Sequence, residues 1–324
     1  MDNPTITSDP QSSAQAAWER KTLEKLAFAA LQEQKAGRRW GIFFKSLGFL
    51  YLLVLLFAFV DLGGEAAHES KHTALVNLEG VIEAKGDANA EKLVNALQEA
   101  FASKGSVGVI LRINSPGGSP VQAGIINDEI KRLRAKYPNK NIYAVVEDLC
   151  ASGGYYVAAA TDKIYVDKAS IVGSIGVIMG GFGFTGAMEK LGVERRMLTA
   201  GENKGFLDPF SPQDAKQNEF AQAMLTEIHK QFIDVVRKGR GNRLKETPEM
   251  FSGLMWTGAQ SIALGLADEY GTVDTVARDV FKAEKVLDYS VKDNIAERFA
   301  KRLGASTMSS FWAGFSETFG TRAR

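Results

Sequence analysis

Val107-Gly-Val-Ile-Leu-Arg-Ile113 runs straight into Asn114-Ser-Pro-Gly-Gly-Ser119, and the fold is decided at that junction. A nearly continuous apolar run is the pattern of a strand buried on both faces, as in parallel sheets covered by helices. The glycine turn ends the strand, and the residues beyond it predict a helix from about Val121 to Lys136. Working outward, Ala74–Leu78 reads as a strand and Ala88–Ala102 as an amphipathic helix. On the other side Ile142–Val146 reads as a strand. A second glycine turn then leads into a short alanine-rich helix, Tyr155–Ala160, and the strand Lys163–Val166. This alternation predicts a three-layer α/β domain with parallel strands. In such sheets chemistry collects beyond the carboxyl ends of the strands, where both glycine turns fall.

Further along, a helix is expected at Ala187–Leu191, a strand at Glu194–Leu198, a long helix at Gln213–Lys238 and another at Val273–Val286. Phe220, Met224, Ile228, Phe232 and Val235 give the long helix its apolar stripe. No internal repeat is visible.

A second segment reads differently. Residues 41–60 are apolar apart from Lys45 near the start, and a membrane-spanning helix needs about 20 such residues. A lysine close to one end can snorkel to the headgroups. Lys35, Arg38 and Arg39 precede the run, and Asp61, Glu65 and Glu69 follow it. The positive-inside bias places the N-terminus in the cytoplasm and everything after Leu62 outside. A cleaved signal peptide is the alternative, but its basic leader would be far longer than usual. The expected organisation is a cytoplasmic segment 1–39, an anchor 40–62, a linker 63–73, the α/β domain 74–290 and a C-terminal helix and tail 291–324.

Composition narrows the chemistry. The 324 residues carry 39 Lys and Arg against 38 Asp and Glu, so no charge excess points to nucleic acid. Cys150 is the sole cysteine, which excludes an internal disulfide. The three histidines, His68, His72 and His229, all lie away from the glycine motifs, which disfavours a Ser-His-Asp triad. No metal or other cofactor is expected.

Two motifs carry the chemistry. In Asn114–Ser119, paired glycines let backbone N–H groups approach a developing anion, although a plain tight turn would use the same residues. In Cys150-Ala-Ser-Gly-Gly-Tyr-Tyr156, a serine at a strand-to-helix turn exposes its hydroxyl, and the next N–H, from Gly153, can stabilise an oxyanion. Ser152 could equally be a helix N-cap. A base must be found for it, and with histidine disfavoured a lysine is the candidate. Lysine ordinarily titrates near 10.4 and must lose solvent to serve. Lys204 sits in a glycine-bounded loop beside Phe206, Leu207 and Phe210, although a surface lysine is the default reading.

The series N-S-P-G-G-S, A-S-G-G-Y-Y-V-A-A-A-T-D-K-I-Y, V-G-S-I-G-V and A-G-E-N-K-G-F-L-D-P-F-S-P resembles the signal peptide peptidase A family of serine-lysine proteases. The resemblance runs from about Leu75 to Val280. It implies a ClpP/crotonase-like fold of repeated β-β-α units with a mostly parallel sheet, here preceded by one transmembrane helix. It implies Ser152 as nucleophile, Lys204 as general base, Ser174 as the hydroxyl that orients the lysine, and Gly118 and Gly153 as oxyanion donors. Asn203 stands where many relatives have an aromatic residue, so the surroundings of Lys204 depart from the pattern. The resemblance further implies a ring, expected to be octameric, whose serine and lysine come from neighbouring copies. The implied substrates are remnant signal peptides and other apolar or unfolded peptides at the outer face of a bacterial cytoplasmic membrane. Val172, Ile175, Val177, Ile178 and Met179 are candidate pocket walls. A crotonase-like acyl-thioester enzyme and a non-catalytic membrane scaffold are the competing readings.

Overall fold

The computed structural model describes residues 10–59 and 70–291, which fall into two compact units, Met1–Ala67 and His68–Arg324. The first unit consists of helix α1, Pro10–Phe59, with its proline in the first turn, where a missing N–H costs nothing. Among the described residues no helix is long and apolar enough to cross a membrane. The expected anchor, 40–62, runs on past the last described residue of α1, and the expected C-terminal helix and tail, 291–324, lies outside the described residues except for Val291.

The second unit is the expected α/β domain. Strand β1 (His72–Glu79) is followed by α2 (Ala90–Ala102), β2 (Ser106–Ser115), α3 (Pro120–Lys136), β3 (Ile142–Ala151), α4 (Gly153–Ala158) and β4 (Lys163–Val166). Then come β5 (Ile171–Gly173), α5 (Thr185–Leu191), α6 (Ala215–Arg240), β6 (Met255–Thr257), α7 (Gly258–Ala263), β7 (Glu269–Tyr270) and β8 (Val286–Asp288). The sheet order is β6-β5-β3-β2-β1-β8, with β4 also on β3 and β7 on β4. Every pairing is parallel except β5 with β6.

Local chemistry sets the element starts. Asn89 accepts the Lys92 N–H at 2.9 Å to cap α2, and Asp214 accepts the Gln217 N–H at 3.0 Å to cap α6. Ser119 stands before Pro120 at the head of α3. The helices α2 and α3 bury Leu93, Leu97, Phe101, Ile126 and Ile130 on one face of the sheet. A smaller cluster of Leu75, Ile110, Tyr143, Tyr165 and Val276 fills the other face.

Two features position the site. Strand β3 changes neighbours along its length: Tyr143–Val145 pair with β4, whereas Leu149–Ala151 pair with β5. Its pairing to β2 also slips between Ile113 and Ser115, so Ser115 lies opposite Cys150. Both glycine turns are thereby brought side by side at the carboxyl end of the sheet. The second feature is the inner end of α6. The fully buried Arg240 forks onto both Asp268 oxygens at 2.8 and 2.9 Å and gives its Nε–H to the Gly265 carbonyl at 2.8 Å.

Two expected elements are corrected. Glu194–Leu198 is not a strand: its residues are exposed and without a sheet neighbour among the described residues. The helix expected over Val273–Val286 stops early. It is one short turn, Val273–Thr275, continued as a π turn over Val276–Val280, after which the chain enters β8. Phe281 explains the stop. Its ring stacks on Tyr143 at 4.8 Å, over Gly108, where a side chain would collide with it. The next residue, Lys282, turns back with a φ of 54°.

Candidate active site

Ser152 occupies the turn between β3 and α4 with φ 53° and ψ −123°, a conformation that non-glycine residues rarely adopt. It holds the N-cap position of α4, yet its side chain makes no capping hydrogen bond. The two readings of this serine, left open by the sequence, are thus separated: its hydroxyl is not spent on the helix. Its backbone is pinned on both sides. The Ser152 N–H donates to the Gly173 carbonyl at 2.8 Å, and the Ser152 carbonyl accepts the Tyr156 N–H at 3.0 Å.

The Asn114–Ser119 turn packs directly against this elbow. A side chain on Gly117 would meet the Ser152 Cβ within 2.8 Å and collide with the Gly153 nitrogen. Gly118, with φ 146°, lies against the Ile82 carbonyl with no room for a Cβ. The Gly118 nitrogen is itself 3.2 Å from where a Gly153 Cβ would stand. The two glycines are therefore adjacent in space, and among the described residues neither N–H donates a hydrogen bond within the chain. A pair of neighbouring, unengaged backbone donors beside a hydroxyl is the arrangement an oxyanion requires.

Ser115 braces the turn. Its buried hydroxyl accepts the Gly117 N–H at 3.1 Å and donates to the Gly80 carbonyl at 2.6 Å. It stands inside the glycine motif, but nothing in its own residue type distinguishes this role from an ordinary turn serine. Trp256 is a second residue that sequence reasoning missed: its indole packs on Gly173, the residue that receives the Ser152 N–H.

A cavity of about 160 Å³ opens at Ser152, walled by Gly118, Gly153, Tyr156, Val177, Ile178 and Phe232 among others. Of the expected wall residues, Val177 and Ile178 line it, whereas Val172 and Ile175 are fully buried in the core and Met179 lines a different cavity. Ile228, Gln231 and Phe232 of α6 complete it, contributed by residues distant in sequence. Ser174 follows β5 with φ 50°, half-buried, its N–H held by the Leu254 carbonyl at 2.8 Å. It does not line the Ser152 cavity.

Lys204 is not at this cavity either. It lies in a chain of tight turns, with its N–H on the Gly201 carbonyl at 3.1 Å, and its side chain is exposed. Phe206, Leu207 and Phe210 do not build a crevice around it. Phe206 packs edge-on to Phe220 at 5.8 Å, and Phe210 stacks on Phe184 at 5.2 Å. The histidines are accounted for elsewhere: His72 is buried between Ser70 and Tyr289, and His229 pairs with the Ile175 carbonyl at 3.1 Å. His68 lies outside the described residues. Among the described residues no group of three or more His, Cys, Asp and Glu side chains could hold a metal ion. Burial pushes the Cys150 thiol well above its ordinary range, so beside the elbow it is an inert core side chain. One chain therefore assembles Ser152, Gly118 and Gly153, and leaves Lys204 and Ser174 outside their cavity.

Comparison with known proteins gives the family of the chain. Residues 134–287 match the sequence profile of Peptidase family S49. The chain is 31% identical over 211 residues to the putative protease MJ0651 of Methanocaldococcus jannaschii, covering 64% of this chain and 67% of that protein. This chain belongs to peptidase family S49. The putative signal peptide peptidase SppA of Enterococcus faecium is 29% identical over 235 residues, 70% of this chain and 68% of that protein. A 46% identity over 185 residues links the chain to a protein of Brucella melitensis named Na(+)/H(+) antiporter NhaA, covering 57% of this chain. The chain spans only a quarter of that protein's length, 25%, so the match extends over one portion of it.

Proposed function

We propose that this chain is a serine endopeptidase in which Ser152 attacks a peptide carbonyl and Lys204 of a neighbouring copy takes its proton. The observation that carries the reading is the Ser152 elbow: an uncapped hydroxyl at φ 53° beside two adjacent glycine N–H groups. In the first step the Ser152 Oγ bonds to the substrate carbonyl carbon, and the carbonyl oxygen becomes negative between the Gly118 and Gly153 N–H groups. The amine that accepted the serine proton returns it to the leaving nitrogen. Water then attacks the acyl-enzyme, giving up its proton to the same amine; the acyl–Oγ bond breaks, and Ser152 takes that proton back.

The positions of the residues support a base on a neighbouring copy. The Lys204 loop is tied to α6 at Gln217, whereas Ile228 and Phe232 of α6 wall the Ser152 cavity. Gln217 and Ile228 are three turns apart, roughly 16 Å along the axis. An amine in water remains protonated at neutral pH, so Lys204 has to be covered before it can act. Elsewhere on the same unit Ile178 is 92% and Leu191 77% exposed, and Phe182 and Leu198 are open as well, apolar surface suited to another copy of the chain. A ring of eight copies, with Ser174 orienting the incoming amine, completes the reading.

The proposed substrates are apolar peptides, remnant signal peptides among them, which agrees with the apolar lining of the cavity and with the name of the Enterococcus relative. The proposed location is the outer face of a bacterial cytoplasmic membrane, with residues 40–62 as anchor and the N-terminus inside. The support is the sequence: the apolar run, and the basic residues Lys35, Arg38 and Arg39 before it. A mixing experiment tests the shared site. Ser152→Ala and Lys204→Ala proteins should each be inactive, and co-assembled they should recover peptidase turnover. Failure of every mixture to recover, with assembly demonstrated, would sink the shared dyad. Full turnover in Lys204→Ala would sink the lysine.

A further inference from the structure

Lys204 stands on an exposed arm, yet the loop that bears it is ordered by a compact group of polar side chains around Asp208. The Asp208 side chain is only 10% exposed. It accepts the Ser211 hydroxyl at 2.7 Å and the Arg195 Nε–H at 3.3 Å. The same guanidinium lies over the Phe210 ring at 5.7 Å, and that ring stacks on Phe184. The Phe184 N–H reaches back to the Pro209 carbonyl at 2.8 Å, closing the loop against the start of α5. The Ser211 hydroxyl, followed by the Arg195 guanidinium, holds the Asp208 carboxyl below its usual range, so it is charged whenever the protein is near neutrality.

The other side of the loop is tied to α6. Leu207 adopts φ 53°, a conformation that a non-glycine residue keeps only where its surroundings impose it. Its N–H donates to the Gln217 Oε1 at 2.9 Å, in the first turn of α6. Strain kept on an exposed loop, with a buried carboxylate on one side and a helix on the other, needs a reason. The neighbouring residues of α5 and the outer part of α6 are largely exposed, Ala221 excepted, so among the described residues the loop packs on little buried surface. What the turns do fix is the backbone three residues upstream, at Lys204, through the Lys204-to-Gly201 and Phe206-to-Asn203 bonds, both 3.1 Å.

We propose that Asp208, Gln217 and Arg195 are positioning residues that set the lysine loop in its working geometry before any neighbour arrives. The inference rests on the reading of Lys204 as the base. In an assembly where the serine and the amine ride on different copies, each must be placed by its own chain. The elbow does this for Ser152 through the sheet. Here the ion pair at Asp208 and the amide at Gln217 do it for Lys204, from outside any core. A misplacement of about 1 Å in a reacting group can cost on the order of a hundredfold in rate.

The test uses the full-length assembled protein and a fluorogenic apolar peptide. Asp208→Asn and Gln217→Leu should each lower kcat by about 10- to 100-fold while KM and ring size stay unchanged. Gln217→Glu keeps an acceptor oxygen for Leu207 and suits the first turn of a helix, so it should recover most of the lost rate. Lys204→Ala is run alongside. If Lys204→Ala is inactive while Asp208→Asn and Gln217→Leu keep the parent kcat, the positioning role is overturned and the base stands. If Lys204→Ala itself turns over normally, the base reading fails first. If both loop variants dissociate the ring or raise KM alone, these residues build the interface instead, which also overturns the proposal.

Discussion

The elbow at Ser152 and the loop at Lys204 solve the same problem with opposite means. Around Ser152 almost everything is core: Cys150, Ala151, Gly153, Gly154 and Tyr155 are buried, and the turn is locked between β5 and the Asn114–Ser119 turn. Around Lys204 almost everything is exposed, and a few hydrogen bonds replace the sheet. Both nevertheless hold a non-glycine residue in the left-handed region, Ser152 and Leu207 with φ 53° each. The comparison teaches that strain can be sustained either by a packed core or by local polar ties. Only the first is insensitive to what binds nearby. A nucleophile can be finished inside one chain, whereas a base that must lose its water is finished by what covers it.

Replacing each half should separate them. The largest effect belongs to the elbow: Ser152→Ala should lower kcat/KM by at least about a thousandfold and abolish labelling by a serine-directed fluorophosphonate, with unchanged melting temperature. Next, Gly118→Ala should lower kcat by about 100- to 1000-fold, because it displaces an oxyanion donor. It should also lower the melting temperature, because the added methyl group collides with the Ile82 carbonyl. A Gly118→Ala protein that keeps the parent kcat would remove this N–H from the mechanism.

The anchoring of α6 should affect stability more than chemistry. Arg240→Met leaves Asp268 without its fork and should cost about 3–5 kcal/mol in urea unfolding. Burial drives the Asp268 carboxyl upward, but hydrogen bonds and charge from Arg240 outweigh it, and its pKa lies below the ordinary value. A carboxylate depressed in the fold contributes stability that is present above its unfolded pKa and is lost as pH falls through the folded one. The parent should therefore lose stability on acidification below the ordinary carboxylate range, and Asp268→Asn should flatten that acid limb. The smallest effect is expected for Glu269→Gln. Its partner Lys163 is half-exposed at 2.6 Å, and the pair should be worth no more than about 1 kcal/mol.

The sequence was informative where a segment's own pattern settles its structure. The buried strands β1 to β4 and the helices between them follow from apolar runs and periodicity, and the two glycine turns marked the site. The short edge strands were not legible. Met255–Thr257 is a strand because it pairs antiparallel with Ile171–Gly173, and nothing in Met-Trp-Thr says so. Glu194–Leu198 has no sheet neighbour among the described residues, and so stays irregular. Phe206 and Phe210 promised a greasy pocket for Lys204. The rings in fact turn to Phe220 and Phe184, a choice set by residues far along the chain.

Helix α6 joins the two halves, and its length follows from that. Its inner turns wall the serine cavity and end on the Arg240 fork, and its outer turn holds the lysine loop through Gln217. It behaves as a rigid boom: one end is bolted down and the other carries cargo. Adding or removing a single turn, about 5.4 Å, would move the amine along its reach without disturbing a single atom at the hydroxyl. On the proposal that Lys204 serves a neighbouring copy, the reach of its amine is thus written in the span of one element.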